Sequence, residues 1–303
     1  MSKPLVTVAV PLYKRRDHNV GQALRAVAAQ DYEAVDILIS DNGENSDEFR
    51  SWVSGCFGDR PFRFRRNEPS VPITRHFNQL VEEAQGEYFV LLSDDDEISP
   101  NYVSGLVAPL VEDPEVAVGI ARVELIDGEG ALRPGKDQSF PDGVHPYADF
   151  IRMWCRHEYD FGSFVTNLAR TDEIRAAGAY PDFVKGNSVD NALLIAISAG
   201  RKVALVGDAV FRYRIYEEST GLAADYRELG KAQRQFIRYL DQHPRLRAVK
   251  SEDPQGWQRT SGQIVEMAWR TYRHRWKNMY RARLSRGEWA KAAFQMPFIP
   301  AYY

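Results

Sequence analysis

The chain has 303 residues, of which 44% are hydrophobic and 27% are charged, a composition that excludes a disordered or collagen-like protein. Its net charge of -3 is unevenly divided, because residues 226–303 contain 16 Lys and Arg against 6 Asp and Glu and leave an excess of 13 acidic residues on 1–225. An acidic body with a basic end argues against a nucleic-acid partner.

The first hundred residues alternate short apolar runs with amphipathic segments, which predicts β-α-β units in a mainly parallel sheet. Helical spacing of apolar residues separates the helices from the strands. In chain order we predict a strand over 5–10 ended by Pro11, a helix over 17–30, a strand over 35–40, a helix over 47–57, a strand over 62–65, a helix from 73 that ends before Gly86, and a strand over 88–92.

The middle of the chain is less regular. We predict a strand over 116–126, a loop over 134–146, a strand over 161–168, a helix over 187–199 and a pair of strands over 202–213. Beyond Gly221 the pattern is helical. The sequence therefore predicts an α/β domain of residues 1–225, with a sheet flanked by helices, and a helical C-terminal region of residues 226–303.

Two features concern the cellular setting. No basic leader precedes the first apolar stretch, and the apolar run 192–199 is shorter than the roughly 20 residues of a spanning helix. Cys56 and Cys155 lack the close spacing of a metal or redox pair, so we expect buried thiols in a reducing compartment. The sequence predicts a cytoplasmic protein, and peripheral contact at the inner face of the membrane stays open.

Three consecutive carboxylates, Asp94, Asp95 and Asp96, follow the predicted strand 88–92. Adjacent like charges raise each other's pKa unless a cation neutralises them, and carboxylate oxygens suit hard ions such as Mg²⁺ or Mn²⁺. The alternative is a solvated acidic turn or a helix N-cap ahead of Pro100.

Two other strand ends carry side chains that suit a nucleotide. Pro11 and Tyr13 follow the first strand, and Asp41 follows the second. Because the carboxyl ends of parallel strands form the crevice in which such folds bind ligands, we expect these residues to lie near the acidic triplet. An aromatic ring, a carboxylate that accepts from a base N–H and a metal-binding loop together predict a nucleotide-diphosphate site.

In order and spacing, these segments resemble the family 2 glycosyltransferases, which are inverting enzymes of the GT-A fold that use nucleotide-diphospho-sugars. Residues 8–15 are similar to the family's opening strand and Pro-x-Tyr-Asn-Arg turn, with Lys14 in place of Asn. Residues 37–43 resemble its second strand and acidic turn, and residues 78–96 its helix, strand and Asp-x-Asp loop.

The resemblance implies roles for individual residues. It places Tyr13 beside the base, Asp41 on a base N–H and Arg75 near the base or the phosphates. It assigns Asp95 to the ribose and Asp96 to the metal, while Asp94 can substitute for either neighbour because Ser93 shifts the register of the motif. The alternatives are a core aromatic for Tyr13 and a surface ion pair for Arg75.

Asp190 matches the catalytic Asp of the family, although Val189 replaces the acid that usually precedes it. An inverting transfer needs a base that takes the proton of the acceptor hydroxyl, and we predict Asp190 in that role. The alternative for Asp190 is a first-turn acid favoured by the helix dipole. Glu158 and Asp160 are reserve candidates for the base.

Residues 212–219 resemble a family segment with the pattern Tyr-Arg-x-His, in which the His helps to bind metal or diphosphate. Tyr216 stands at the His position, so we expect no His ligand from this segment. Arg214 is a candidate contact of the diphosphate, or else an ion pair at the rim. His76, on a predicted helix, is expected to be structural.

The basic C-terminal region contains a helix with an apolar stripe. We expect this stripe to pack on the domain or a second subunit, with an anionic membrane surface or a polyanionic acceptor as alternatives. The stripe consists of Val265, Trp269, Tyr272, Trp276, Met279 and Tyr280.

These observations predict a Mn²⁺- or Mg²⁺-dependent inverting glycosyltransferase that moves a sugar from a UDP- or dTDP-sugar to a hydroxyl of a glycan, a lipid-linked intermediate or a small molecule. A sugar nucleotidyltransferase is disfavoured because residues 11–17 contain no Gly for a phosphate loop. A non-catalytic nucleotide- or sugar-binding scaffold is the other alternative, favoured by Val189 and Tyr216.

Overall fold

The computed structural model describes residues 3–43, 47–134, 140–156, 167–215 and 226–281, and of residues 226, 227 and 275–281 it describes the backbone alone. Glu158, Asp160, Tyr216 and most of the predicted strand 161–168 lie outside this part of the chain.

The N-terminal half alternates strands and helices as the apolar periodicity predicts. The four strands pair in parallel, with β1 between β2 and β4 and with β3 outside β2. The elements are β1 (Val6–Leu12), α1 (His18–Ala28), β2 (Val35–Asp41), α2 (Asp47–Phe57), β3 (Arg63–Arg66), α3 (Ile73–Glu83) and β4 (Tyr88–Leu91).

The second half completes a mixed sheet. Over the described residues the sheet has nine strands in the order β3-β2-β1-β4-β8-β6-β9-β5, and β7 also pairs with β9. The elements are β5 (Glu97–Ile98), α4 (Tyr102–Glu112), β6 (Val116–Ile126), β7 (Gly143–Pro146), α5 (Tyr147–Cys155), β8 (Leu168–Arg170), α6 (Thr171–Ala176), α7 (Val189–Ser198), β9 (Lys202–Arg214), α8 (Tyr226–Gln242), α9 (Pro244–Glu252) and α10 (Pro254–Arg281).

The first strand does not end at Pro11, as the sequence predicts, but continues to Leu12. Residues of a strand alternate between their two neighbours, and Leu12 O bonds to Asn42 N on the β2 side whereas Ala9 O bonds to Leu92 N on the β4 side. Pro11 therefore faces the β4 side, where β4 has already ended, so its missing N–H breaks no ladder bond. The extra residues bring Tyr13 closer to the end of β2.

Residues 202–214 form one long strand, β9, where the sequence predicts two. Gly207 and Asp208 are residue types typical of a hairpin turn, but here they lie in a bulge within the strand. The adjacent β6 residues Ala121 and Arg122 pair with Val206 and Val210, so the residues between these two are left out of the register. The expected loop over 134–146 is also partly wrong, because β7 pairs with β9 there. A bulge and a turn use the same residue types, which explains the error.

The C-terminal helices pack on the α/β body. One apolar core contains Leu91 of the sheet together with Phe236 and Ile264 of the helices, and α10 contacts α5 and α8. Within the predicted stripe, Trp269 and Tyr272 are buried and their rings meet edge to face at 5.6 Å. Among the described helices, none has the length and apolar content needed to cross a bilayer.

Candidate active site

The carboxyl ends of β1, β2 and β4 meet at one edge of the sheet, as expected for a parallel arrangement. Leu12 pairs with Asp41 in the β1–β2 register. Tyr13, the residue after Leu12, therefore lies at the end of β1 beside the end of β2 that carries Asp41. β4 ends at Leu91, and the acidic triplet begins three residues later. The fold thus brings Tyr13, Asp41 and the triplet to the same side of the sheet.

The acidic triplet (Asp94, Asp95 and Asp96) is partly buried. The side chains of Asp94 and Asp95 are 18% and 21% exposed, and Asp96 is buried. Burial, reinforced by the charge of Asp95, raises the pKa of Asp94 to about 7, and the same two causes raise the pKa of Asp96. The loop therefore concentrates carboxylates in a site that resists their ionisation.

Arg15 contacts this triplet, and sequence reasoning did not count it among the site residues. Its Nη1 lies 3.0 Å from Asp95 Oδ2 and 3.7 Å from Asp94 Oδ1. Its Nε donates to Asp17 Oδ2 at 2.9 Å, and Asp17 caps the N-terminus of α1. The signal was available, since Arg15 is the last residue of the Pro-x-Tyr-Asn-Arg-like turn. Arg15 provides positive charge at a loop with a large excess of negative charge.

Arg214 lies elsewhere than the sequence predicts. We expected it at the diphosphate or in an ion pair at the rim, but its side chain has no exposed surface. It donates to Asp95 O at 2.7 Å, to Gln22 Oε1 at 3.0 Å and to Glu97 Oε1, and also to the backbone oxygens of residues 127 and 128. These acceptors use the hydrogen-bond donors of the guanidinium group. The buried side chain of Arg214 therefore supports the acidic triplet through its bond to Asp95 O.

The backbone of Arg214 contributes a further contact to the triplet. Its N–H donates to Asp96 Oδ1 at 2.8 Å, which orients that carboxylate and favours its charged form. The contact links the end of β9 to the loop after β4, which is 118 residues away in sequence. The position of the triplet thus depends on a strand in the second half of the chain.

Asp41 is fully buried at the end of β2. Its Oδ2 accepts a hydrogen bond from Nε of Arg66, on the adjacent strand β3, at 3.2 Å. Arg66 is a second residue that sequence reasoning missed, and the cross-strand register Asp41↔Arg66 explains the pairing. The neighbouring Asn42 holds the following loop, because its side chain accepts from Val71 N at 3.0 Å and donates to Val71 O at 2.9 Å. These contacts fix the wall of the crevice beside Asp41.

His76 is buried beneath this wall, in agreement with its predicted structural role. Its Nε2 lies 2.7 Å from Ser40 Oγ. Burial, followed by the positive charge of Arg65, lowers the pKa of His76 to about 4. The ring is therefore neutral near pH 7.

Tyr13 and Arg75 lie at the surface. Tyr13 is 48% exposed, which disagrees with the alternative of a core aromatic. Lys14 adopts a left-handed φ of 55° and places its ammonium group 5.2 Å from the Tyr13 ring centre, a cation–π contact. Arg75 is exposed in the first turn of α3. Both predicted contacts are thus accessible to a ligand.

Asp190 is half-buried in the first turn of α7. The turn before α7 is strained, since Lys185 and Ser188 have φ values of 56° and 63°, a conformation that costs of order 1–3 kcal/mol and is concentrated at functional sites. Ser188, at the N-cap position, makes no side-chain capping bond. Asp190 is the acid in this first turn.

Across the part of the chain that the structure describes, no three His, Cys, Asp or Glu side chains form a group able to hold a metal ion by themselves.

A sheet of this order, with an acidic loop after β4 and a second acid at the start of α7, defines a GT-A type glycosyltransferase fold. The model of the family "Glycosyl transferase family 2" matches residues 7–168, more than half of the chain. The chain therefore belongs to glycosyl transferase family 2.

Two curated relatives of this chain carry glycosyltransferase names. An uncharacterized glycosyltransferase of Rickettsia felis is 28% identical over 47% of this chain and 23% of its own length. WcaA of Escherichia coli K12, provisionally named a colanic acid biosynthesis glycosyl transferase, is 28% identical over 35% of this chain and 38% of its own length. The chain thus spans less than half the length of each of these two relatives.

Solved structures support the fold alone, because their sequence identity is low. S. aureus TarS 1–349 in complex with UDP-GlcNAc has a TM-score of 0.61 and 14% identity, with 79% of this chain and 67% of that chain covered. The UDP complex has a TM-score of 0.59 and 13% identity, with 79% and 66% covered.

Proposed function

We propose that this glycosyltransferase transfers a sugar, with inversion, from a UDP- or dTDP-sugar to a hydroxyl group in a Mn²⁺- or Mg²⁺-dependent reaction. The observation that carries the proposal is the convergence of Tyr13, Asp41 and the acidic triplet at one edge of the sheet. The acceptor classes are a glycan, a lipid-linked intermediate or a small molecule. The name of WcaA favours a role in polysaccharide biosynthesis.

The base of the donor binds between Tyr13 and Asp41. The exposed ring of Tyr13 offers a stacking surface. The Asp41 carboxylate, held by Arg66, is an acceptor for the ring N–H that uracil and thymine share. Because Asp41 has no exposed surface, this contact requires the side chains around it to rearrange when the nucleotide enters.

The acidic triplet suits a hard divalent cation. The raised pKa values of Asp94 and Asp96 reflect burial and carboxylate repulsion, which a bound cation would relieve. Asp94 and Asp96 are the residues that would hold the cation, together with donor phosphates, as is common for Mg²⁺. An ion held by Asp94 and Asp96 would neutralise the charge that develops on the leaving nucleoside diphosphate. Asp95, whose Oδ2 accepts from Arg15 at 3.0 Å, is the residue that would contact the ribose.

Asp190 is the general base. As the acceptor oxygen attacks the anomeric carbon, its proton passes to the Asp190 carboxylate. The bond between the anomeric carbon and the diphosphate oxygen breaks, and its electron pair leaves with the nucleoside diphosphate. A single displacement of this kind inverts the anomeric centre.

The test is release of nucleoside diphosphate from a panel of UDP- and dTDP-sugars, with and without Mn²⁺, with water as acceptor. We expect Mn²⁺-dependent release from at least one donor, and loss of that release in Asp190→Asn. Asp172→Asn, an exposed acid in the first turn of α6, is the matched control and keeps the wild-type rate. Binding without release from any donor would instead favour a nucleotide-binding scaffold.

A further inference from the structure

The helix α1 is connected to the acidic triplet at two points. At its N-terminus, the capping residue Asp17 accepts from Arg15, and Arg15 donates to Asp95 Oδ2 at 3.0 Å. Farther along α1, Gln22 Oε1 accepts from Nη2 of Arg214 at 3.0 Å. The first connection holds a carboxylate of the triplet, and the second leads through Arg214 to the backbone of the triplet.

The guanidinium group of Arg214 has an acceptor for each of its five N–H donors. Nε donates to Asp95 O at 2.7 Å, Nη1 to the backbone oxygens of residues 127 and 128 at 3.1 and 3.3 Å, and Nη2 to Gln22 Oε1 and Glu97 Oε1. Because the group is planar and rigid, these acceptors define a single orientation for it. Gln22 and Glu97 are the two acceptors that belong to side chains.

The turn over residues 127–130 packs against the same group. Gly130 has a φ of 87°, and a Cβ atom on it would lie 3.6 Å from both Arg214 Nη1 and Gln22 Nε2. Since the Arg214 side chain has no exposed surface, the surrounding protein supplies its acceptors. Loss of a side-chain acceptor leaves a buried N–H without a partner, which favours a different position of the guanidinium group.

Arg214 holds the triplet at two consecutive residues. Its Nε bonds to Asp95 O, which belongs to the peptide group that joins Asp95 to Asp96, and its backbone N–H donates to Asp96 Oδ1 at 2.8 Å. The contacts fix both the backbone before Asp96 and the Asp96 carboxylate. Removal of residues that orient a metal ligand in this way lowers metal affinity by about 10- to 100-fold.

Glu97 extends the acidic run of the sequence to four residues, but its carboxylate has a different partner. It accepts from Nη2 of the buried Arg214, and its backbone pairs with Arg212 in the register of β5 against β9. The Glu97 carboxylate is therefore a partner of the guanidinium group, whereas Asp96 is held by the Arg214 backbone.

We propose that Gln22 and Glu97 are positioning residues for the cation site at the acidic triplet. They hold the Arg214 side chain in one orientation, and Arg214 in turn holds Asp95 O and the Asp96 carboxylate. The inference rests on the proposed function, because it takes Asp96 as a residue that would hold the cation. It makes the affinity of this site for Mn²⁺ depend on α1.

Gln22→Met tests this dependence, because it removes an acceptor of Arg214 and keeps the charge and approximate length of the side chain. We expect the Kd of Mn²⁺ alone, measured by calorimetry, to rise about 10-fold. The Kd of UDP without Mn²⁺ stays at the wild-type value, because the residues proposed to contact the base and the Arg15 contact are unchanged. Gln263→Met is the matched control, since Gln263 is also a half-buried glutamine on a helix, and it keeps the wild-type Kd of Mn²⁺.

Glu97→Gln tests the second side chain. It keeps an acceptor for Arg214 but loses the charge, and a hydrogen bond to a neutral acceptor is about half as strong as one to a carboxylate. Glu124→Gln is the matched control for the lost charge, because the Glu124 side chain is 24% exposed against 20% for Glu97 and pairs with Arg212 on β9. We expect the Kd of Mn²⁺ to rise about 3-fold more in Glu97→Gln than in Glu124→Gln, since the bond is weakened rather than lost.

Asp96→Asn separates this inference from the proposed function. Loss of Mn²⁺ binding in Asp96→Asn, together with Kd values of Gln22→Met and Glu97→Gln that equal those of their controls, would overturn the positioning role and leave the proposed function standing. Wild-type Mn²⁺ binding in Asp96→Asn would overturn the assignment of the cation site and the inference with it. An equal rise in the Kd of UDP without Mn²⁺ would show general damage to the crevice and overturn the inference.

Discussion

Replacement of Arg214 by Met tests whether the buried guanidinium group of Arg214 stabilises the acidic triplet. Met has a similar length but no hydrogen-bond donors in its side chain. The substitution removes the bonds that the buried guanidinium group makes to Asp95 O, Gln22 Oε1, Glu97 Oε1 and the backbone of residues 127 and 128. It also leaves the Glu97 carboxylate without this cation.

The expected loss follows from this environment. Removal of one partner from a buried ion pair costs about 3 to 5 kcal/mol, because the remaining charge loses its compensation. The Glu97 side chain keeps 20% of its surface exposed, so water compensates part of the charge and the lower end applies. We expect the free energy of unfolding to fall by about 3 kcal/mol. Arg214→Lys keeps the charge but not the planar guanidinium group, so its free energy of unfolding falls by less than that of Arg214→Met.

Urea unfolding followed by tryptophan fluorescence measures both variants. With a slope of about 3 kcal/mol/M for a chain of this size, the midpoint of Arg214→Met falls by about 1 M. Arg212→Met, in the more exposed pair with Glu124, is the control and shifts the midpoint little. A loss below about 1 kcal/mol for Arg214→Met, the range of exposed ion pairs, would contradict the role of Arg214 as the buried partner of Glu97.

Two other predictions concern charge. His76 stays neutral in the folded protein down to about pH 4, whereas an unfolded His binds a proton near pH 6.5. The free energy of unfolding therefore decreases as pH falls from 6.5 to 4, and His76→Gln removes about 2 kcal/mol of the decrease between pH 7 and 5. Arg15→Ala removes a cation that competes at Asp94 and Asp95, so Mn²⁺ alone binds about 2- to 5-fold more tightly by calorimetry. Weaker Mn²⁺ binding would contradict that competition.

The sequence predicts elements best where local periodicity is strong. α2 over 47–57 and β6 over 116–126 have the predicted bounds. β1 and β9 differ because strand pairing decides them: Pro11 is tolerated where β4 has ended, and Gly207 lies in a bulge. Hydrogen-bonding partners across the sheet are not visible in a local pattern.

Some residues of the candidate site could be predicted from the sequence, and others could not. Tyr13 and the acidic triplet follow strand ends, so topology alone places them. Arg214 could not be placed from the sequence, because its partners lie 86 to 192 residues away. Arg66 was missed for a similar reason, since its contact with Asp41 depends on the register of β3 against β2.

Calorimetric titration with UDP, in the presence and absence of Mn²⁺, tests whether the edge of the sheet with Tyr13, Asp41 and the acidic triplet binds a nucleotide donor. We predict that UDP binds one site and that Mn²⁺ tightens the binding. Asp96→Asn loses the Mn²⁺ effect, whereas Asp113→Asn, a half-buried acid paired with Lys202, keeps it. If neither UDP nor dTDP bound under any metal condition, the assignment of a nucleotide-sugar donor to this site would be contradicted.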